Sequence, residues 1–227
     1  MAEEVVTIDG KEIPVWPEGQ EIEALDKDRK VLRTRFKDQA LYTPGLITRL
    51  QELAARPEHA KQRSRSLGGT KLYAVHEFNC PEADLIDARA VALFRRALGV
   101  QEAAVDMSWA NIYGRGDYIM PHSHVRTLAS VVYGVTPGDP DLEKDPDSGA
   151  LAIVDPRYPP CCQVERGRLS NPQRFKMHAG TMVIFPGDMV HCVNPYNGEA
   201  PRISIAWNMN RRPQPGSLYQ QVKKQEA

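Results

Sequence analysis

The sequence predicts a mainly β domain with helices: a β sandwich or barrel in the second half of the chain, preceded by helical segments. Three observations carry this. From Val105 onward, short runs rich in Val, Ile, Tyr and Trp are separated by Gly, Pro and Asp, the texture of an all-β core. Upstream, apolar residues recur at helical spacing behind two helix-start signals. The length, 227 residues, suits one domain rather than two. We therefore read residues 1–227 as a single domain, with a helix-rich part over 1–104, a β core over 105–209 that carries the site, and a C-terminal tail over 210–227.

Taken in order, residues 1–40 mix charges with little period. Pro14 and Pro17 break any early helix, so an extended arm is expected first, then a helix along the stripe Ile22, Leu25, Val31 and Leu32. Thr43-Pro44 starts the next helix, since proline suits a first turn; Leu46, Ile47, Leu50, Leu53 and Ala54 form its apolar face, and it ends near Arg56-Pro57. Asn79 or Cys80 before Pro81 opens another, with Ile86, Ala90, Leu93, Phe94 and Ala97 on one face and Gly99 as its stop. Strands are expected at 105–113, 126–135, 150–154, 174–178, 181–185, 189–193 and 202–208. Two long connections interrupt them, 136–149 and 156–172. Loops of that length are often lids, and the Pro-, Asp- and Gly-rich 136–149 segment is expected to move over the site mouth.

Composition narrows the function classes. Lys plus Arg number 29 and Asp plus Glu number 29, so no global field draws the chain to nucleic acid or to an anionic membrane. The first twenty residues carry Glu3, Glu4, Asp9 and Glu18 without an apolar stretch, and no run approaches the ~20 residues needed to cross a bilayer, so a cytoplasmic location is expected. Cys80, Cys161, Cys162 and Cys192 form no C-x-x-C pair and are read as reduced thiols. The oligomeric state is open, a homodimer included.

The histidines carry the chemistry. His122 and His124 form an H-x-H pair, and strand alternation sends both side chains to one face. Neutral imidazole is a common ligand for Fe, Zn, Cu and Ni, and His191, after an apolar strand and a Pro-Gly turn, is the natural third ligand. An isolated H-x-H is more often a pair of surface histidines on an edge strand; the downstream context argues against that here.

Gly116, five residues, then His122-x-His124 resembles the first cupin motif, and Gly180, five residues, Pro186, then His191 resembles the second. Cupins normally place a Glu shortly after the H-x-H, where this chain has Val125-Arg-Thr-Leu-Ala129. A second resemblance covers more. Tyr113-x-x-Gly116-x-x-x-x-x-His122-x-His124 is similar to the segment of 2-oxoglutarate/Fe(II) dioxygenases that leads into their H-x-D motif, and Arg202-x-Ser204 begins eleven residues after His191. In that superfamily a basic residue at about this distance grips the far carboxylate of 2-oxoglutarate. Within it, the chain most resembles a group of short proteins with H-x-H in place of H-x-D, through Ser130, Val132, Tyr133, Asp155-Pro-Arg157, Phe185-Pro186, His191, Arg202-Ile-Ser204 and Asn208. The likeness spans 107–209 and departs where Val125 replaces the usual proline, Val131 a glycine and Gly134 a tyrosine.

The resemblance implies a double-stranded β-helix (jelly-roll, cupin-like) with N-terminal α-helices packed on one sheet. It implies Fe(II) on His122, His124 and His191, 2-oxoglutarate as cosubstrate anchored by Arg202 and Ser204, and O2 as oxidant. The reaction would oxidise a C–H bond of a small-molecule or peptide substrate and release succinate and CO2. Asn111 and Tyr113 alternate with Trp109 on one strand face, where this superfamily lines the cosubstrate pocket; core packing is the competing reading.

Chemistry bears on the ligand set. Three neutral imidazoles leave Fe(II) at its full charge of +2, which a 2-oxoglutarate dianion neutralises. Alternatively Asp188 or Asp155 supplies an oxygen ligand and His124 falls outside the metal's first ring of ligands. His178 reads as a strand histidine rather than a ligand, His59 and His76 as structural, Arg126, Arg157 and Lys61-Gln-Arg63-Ser-Arg65 as solvated, and Cys161-Cys162 as inert. Two other function classes stay open: a three-histidine cupin dioxygenase that does not use 2-oxoglutarate, and a module that binds a small acid. Arg202 discriminates, because only the 2-oxoglutarate enzyme requires it.

Overall fold

The computed structural model describes residues 4–26, 30–57, 69–154 and 173–215. The N-terminal part is where it departs most from expectation. Strands β1 (Val5–Ile8) and β2 (Lys11–Pro14) form a hairpin. Its turn is Asp9-Gly10, both with positive φ (49° and 74°), as a two-residue hairpin turn requires. The helix expected along Ile22, Leu25, Val31 and Leu32 is instead an antiparallel strand pair, β3 (Glu23–Asp26) and β4 (Val31–Arg35). The physical reason is tertiary. β4 pairs with β11 (Thr181–Pro186), whose edge offers a hydrogen-bond ladder, and strand alternation then divides the four apolar residues between two cores: Ile22 and Leu32 on one side, Leu25 and Val31 on the other.

The two later helices form as expected. Helix α1 spans Thr43–Ala54 with proline in its first turn and buries Leu46, Leu50 and Leu53. Helix α2 spans Pro81–Leu98, carries Glu82 and Asp84 in its first turn and Arg95 and Arg96 in its last, and stops at Gly99, whose φ of 62° closes the C-terminal cap. Arg89 on α2 is fully buried. Its guanidinium donates to both carboxylate oxygens of Asp38 (3.0 and 2.6 Å), to the Tyr42 hydroxyl (2.8 Å) and to the Pro14 and Val15 carbonyls (2.8 and 3.1 Å), tying helix to hairpin.

The remaining strands are β5 (Thr70–Tyr73), β6 (Ala104–Tyr113), β7 (Ile119–His122), β8 (Ala129–Thr136), β9 (Leu151–Val154), β10 (Gln173–Phe175), β12 (Val190–Val193) and β13 (Arg202–Asn210). Two antiparallel sheets result: a seven-stranded sheet ordered β3-β4-β11-β8-β13-β6-β5 and a four-stranded sheet ordered β10-β9-β12-β7. Alternation in the large sheet decides what faces what. Val131, Tyr133 and Val135 of β8, Met182 and Ile184 of β11, and Ile203, Ile205, Trp207 and Met209 of β13 pack on α1 and α2. The intervening Val132, Val183, Phe185 and Ala206, with Trp109 of β6, pack on Leu151, Ile153 and Phe175 of the small sheet. The molecule is thus mainly β, two sheets face to face with helices against the outer side of one.

The 136–149 connection, expected to act as a lid, is tied down. The Tyr196 hydroxyl donates to Asp139 Oδ1 (3.0 Å), the Asp139 amide donates back to that hydroxyl (2.9 Å), and Ser148 Oγ donates to Asn197 Oδ1 (2.8 Å). The other long connection lies outside the described residues, as do His59, Lys61, Arg63, Arg65, Asp155, Arg157, Cys161, Cys162 and most of the tail. Among the described residues, no helix is long and apolar enough to cross a membrane.

Candidate active site

β7 and β12 are neighbours in the small sheet, and their register places His122 directly opposite His191. β7 ends at His122, and His124 follows in the loop, held by its amide donating to the Gly187 carbonyl (2.8 Å). Two strands and one loop therefore bring three imidazoles together. Ring centroids are 4.3 Å apart for His122 and His191, and 5.1 Å for each pairing with His124. One nitrogen from each ring lies within 4.8 Å of the others.

Hydrogen bonds set the tautomers. Nδ1 of His122 lies 2.9 Å from the Met120 carbonyl and Nδ1 of His191 lies 2.9 Å from the Met189 carbonyl. A carbonyl only accepts, so Nδ1 carries the proton in both, leaving Nε2 with a free lone pair, the form a metal needs. Burial keeps the imidazoles neutral: it lowers His122, and pushes His191 down to about 4 and His124 to about 3, the last helped by positive charge on His191, His122 and Lys71. Asp188 sits exposed in the β11–β12 turn and does not join the cluster. His178 is exposed beyond β10, and His76 lies on a short turn of 3-10 helix.

β13 supplies the other half of the site. Its inward face carries Arg202, Ser204, Ala206 and Asn208, and β6 sets Tyr113 beside Arg202, Asn111 beside Ser204 and Trp109 beside Ala206. Arg202 is 3% exposed, yet among the described residues no carboxylate meets it. Its Nη1 donates to Ser204 Oγ at 3.3 Å, and its guanidinium stands 5.2 Å from the centre of the Tyr113 ring. Burial works against the charged form, with Tyr113 and Tyr196 offsetting part of that. Beside it, the Tyr113 hydroxyl and Asn111 Oδ1 are buried without a hydrogen-bond partner. Native proteins leave few such groups. A cation and a hydroxyl free to donate, at one end of an interior, are what an anionic ligand with several oxygens would complete; Asn111 Oδ1 only accepts, so the amide would meet such a ligand through its Nδ2. The residues present fit Fe(II) at the imidazoles and a dicarboxylate at Arg202.

A cavity of about 480 Å3 opens beside the imidazoles, lined in part by Lys71, Trp109, Met120, His122, His124 and Asn208. A larger cleft of about 770 Å3 lies between the N-terminal hairpins and Lys176, His178 and Thr181. None of the three clustered histidines reaches it, and it is not the site. Lys71 and Tyr73 were missed in the sequence, since Thr70-Lys-Leu-Tyr73 bears no motif; only pairing with β6 brings them to this cavity.

Residues 107–208 match the family model described as “Putative 2OG-Fe(II) oxygenase”. No curated protein matches the chain. Among solved structures, it is similar to a Pseudomonas putida prolyl-4-hydroxylase, 18% identical with a TM-score of 0.54 over 81% of this chain and 94% of that one. AviO1 from Streptomyces viridochromogenes is 14% identical with a TM-score of 0.56, over 83% and 91%. HygX from Streptomyces hygroscopicus, whose structure contains nickel and 2-oxoglutarate, is 12% identical with a TM-score of 0.57, over 84% and 88%. At these identities the likeness establishes a shared fold, the double-stranded β-helix, while the family match covers the segment that holds the imidazoles and Arg202. The matched segment, a little under half of the chain, thus resembles the 2OG-Fe(II) oxygenases, and it holds the triad of imidazoles and Arg202 on the fold that those enzymes share.

Proposed function

We propose that His122, His124 and His191 hold Fe(II), that Arg202 and Ser204 bind the distal carboxylate of 2-oxoglutarate with Tyr113 and Asn111 beside it, and that the enzyme oxidises a C–H bond of a small-molecule or peptide substrate. The observation that carries this is the buried Arg202, which meets no carboxylate among the described residues. A buried unpaired guanidinium is costly in an empty pocket and favourable in one that holds an anion. A three-histidine cupin dioxygenase that does without 2-oxoglutarate would have no use for it. By the same reading, 105–209 is the catalytic core of a single domain and the N-terminal part supports it.

When bound, iron would activate O2, which is the oxidant, with 2-oxoglutarate giving two of the four electrons and leaving as succinate and CO2, and the substrate C–H bond giving the other two. This chain's own residues do the rest. The Met120 and Met189 carbonyls fix the rings of His122 and His191 with Nε2 facing inward. Arg202 forks onto a carboxylate and orients it, Ser204 Oγ can follow by accepting from the guanidinium while donating to the ligand, and the Tyr113 hydroxyl is free to donate. Phe185, its ring 4.9 Å from that of His191, and Trp109, 5.8 Å from His124, cover part of the imidazoles with apolar surface.

The test is an anaerobic titration of the Fe(II) protein with 2-oxoglutarate, following the metal-to-ligand absorption band. Arg202→Ala should keep iron and weaken the cosubstrate by roughly 30-fold to several thousand-fold, from about 2–5 kcal/mol for truncating one member of a buried charged pair. Arg202→Lys should recover part of the loss, because an ammonium keeps the charge without the planar fork. No band in the unmutated protein at millimolar 2-oxoglutarate would overturn the reading in favour of the three-histidine dioxygenase.

A further inference from the structure

The cavity beside the imidazoles has an unbalanced charge. Among the described residues, its lining contains one cation, Lys71, and no Asp or Glu. Lys71 stands on the inward face of β5, paired with Asn111 of β6, and holds its ammonium 5.3 Å from the centre of the Trp109 ring. It is half-buried, and among the described residues no carboxylate reaches it. The face of an indole satisfies one side of an ammonium and leaves its remaining donors open to the cavity. Burial also lowers its pKa, in keeping with an ammonium drawn partly out of water. The imidazoles are neutral, and Fe(II) with a 2-oxoglutarate dianion sums to zero, so the loaded site keeps two positive charges: Arg202, engaged with the cosubstrate, and Lys71, the one in the cavity lining among the described residues.

The rim has a different character. Met120 is 53% exposed, Val125 87% and Tyr73 40%, an apolar border, with Lys71 the one charge of the lining among the described residues. Asn208 faces the same space. Its Oδ1 accepts from Ser130 Oγ (3.2 Å), which leaves its Nδ2 donors for a ligand.

We propose that Lys71 is a specificity-determining residue that binds an anionic oxygen group of the primary substrate, an amphipathic organic acid whose apolar body lies against Trp109, Met120 and Tyr73. This rests on the 2-oxoglutarate reading of the site and names the substrate class for it. A neutral peptide would leave the lysine without a partner; a carboxylate or a phosphate would complete it, with Asn208 as a second donor.

The probes are hexanoate, 4-phenylbutyrate and the matching alkyl and arylalkyl phosphonates, each compared with its uncharged amide or diester. Binding is measured calorimetrically on protein loaded with Ni(II) and 2-oxoglutarate, and again on metal-free protein. At least one acid should bind tenfold or more tightly than its uncharged partner. Lys71→Met should abolish that preference while leaving 2-oxoglutarate affinity within about twofold, and Lys71→Arg should keep it. Whether carboxylates or phosphonates are preferred distinguishes the two anion types. The proposal is overturned if no acid is preferred over its uncharged partner, or if the preference survives in Lys71→Met. It is equally overturned if Lys71→Met weakens 2-oxoglutarate as much as Arg202→Ala does, which would assign the lysine to the cosubstrate. Should the absorption band be missing altogether, the 2-oxoglutarate reading fails on its own, and the acid-amide comparison on metal-free protein still decides the role of Lys71.

Discussion

His191 shows how much a single side chain depends on its neighbours. Buried at 6% exposure, with Nδ1 committed to the Met189 carbonyl, it has one remaining nitrogen and one direction in which to offer it. His191→Ala should remove most bound Fe(II), read as iron per chain after gel filtration; stoichiometric iron at unchanged affinity would refute the assignment. His124 is separable from it. Iron should be lost with His124→Ala and kept with Asp188→Ala, since Asp188 points to solvent, and the opposite result would move the third ligand to the carboxylate. The lowered imidazole pKa values also set an acid limit for the metal-free protein. Unfolded histidines take up protons near pH 6.5, whereas His191 and His124 in the fold resist until about 4 and about 3. The unfolded state therefore binds more protons in between, so stability is fully present above about pH 6.5 and lost as pH falls through the folded values. Urea midpoints of chelator-treated protein that stay flat from pH 7 to 4 would contradict this.

At the scale of elements, β8 carries a glycine where packing leaves no room for anything else. A Cβ on Gly134 would stand 2.5 Å from the His178 carbonyl oxygen and 2.7 Å from that of Met177. Its neighbour across the register in β13 is Ser204, so a shift there reaches the cosubstrate end of the site. Gly134→Ala should cost roughly 1–3 kcal/mol by overpacking, measured by urea unfolding, and weaken 2-oxoglutarate as well. The 136–149 connection is expected to behave as part of the wall. The amides of Asp139, Asp141, Lys144 and Asp147 each donate to a side-chain oxygen, so their hydrogen exchange should be slowed and should not change when 2-oxoglutarate is added. Exchange that slows markedly on adding cosubstrate would restore the lid.

Across the whole molecule, Arg89 joins parts of the chain that no local rule connects: α2, the β1–β2 hairpin and Asp38 before α1. Arg89→Met removes five hydrogen bonds and leaves two carbonyls and a carboxylate without their donor. Asp38 keeps some solvent contact, which reduces the penalty, and we expect a loss of about 2–4 kcal/mol. Because Arg89 lies on the helix side of the large sheet and the imidazoles on the other, 2-oxoglutarate affinity of the folded fraction should be unchanged.

Local chemistry determined the elements with strong signals. Thr43-Pro44, Cys80-Pro81 and Gly99 mark their helices because caps and proline act within a single turn. The inward row Trp109, Asn111, Tyr113 and the pair Arg202 and Ser204 follow from alternation along one strand. The Asp9-Gly10 hairpin was legible too, as a two-residue turn signal between short strands, but the prolines beside it suggested only an extended arm. Other features belong to tertiary structure alone. A stripe such as Ile22, Leu25, Val31 and Leu32 fits a helix or a strand pair, and the free edge of β11 decides between them. His122 faces His191 because two strands distant in sequence share a register, and Lys71 reaches the cavity because β5 closes the edge of the large sheet. Sequence periodicity states which side of an element a residue takes; only the pairing of elements states what it finds there.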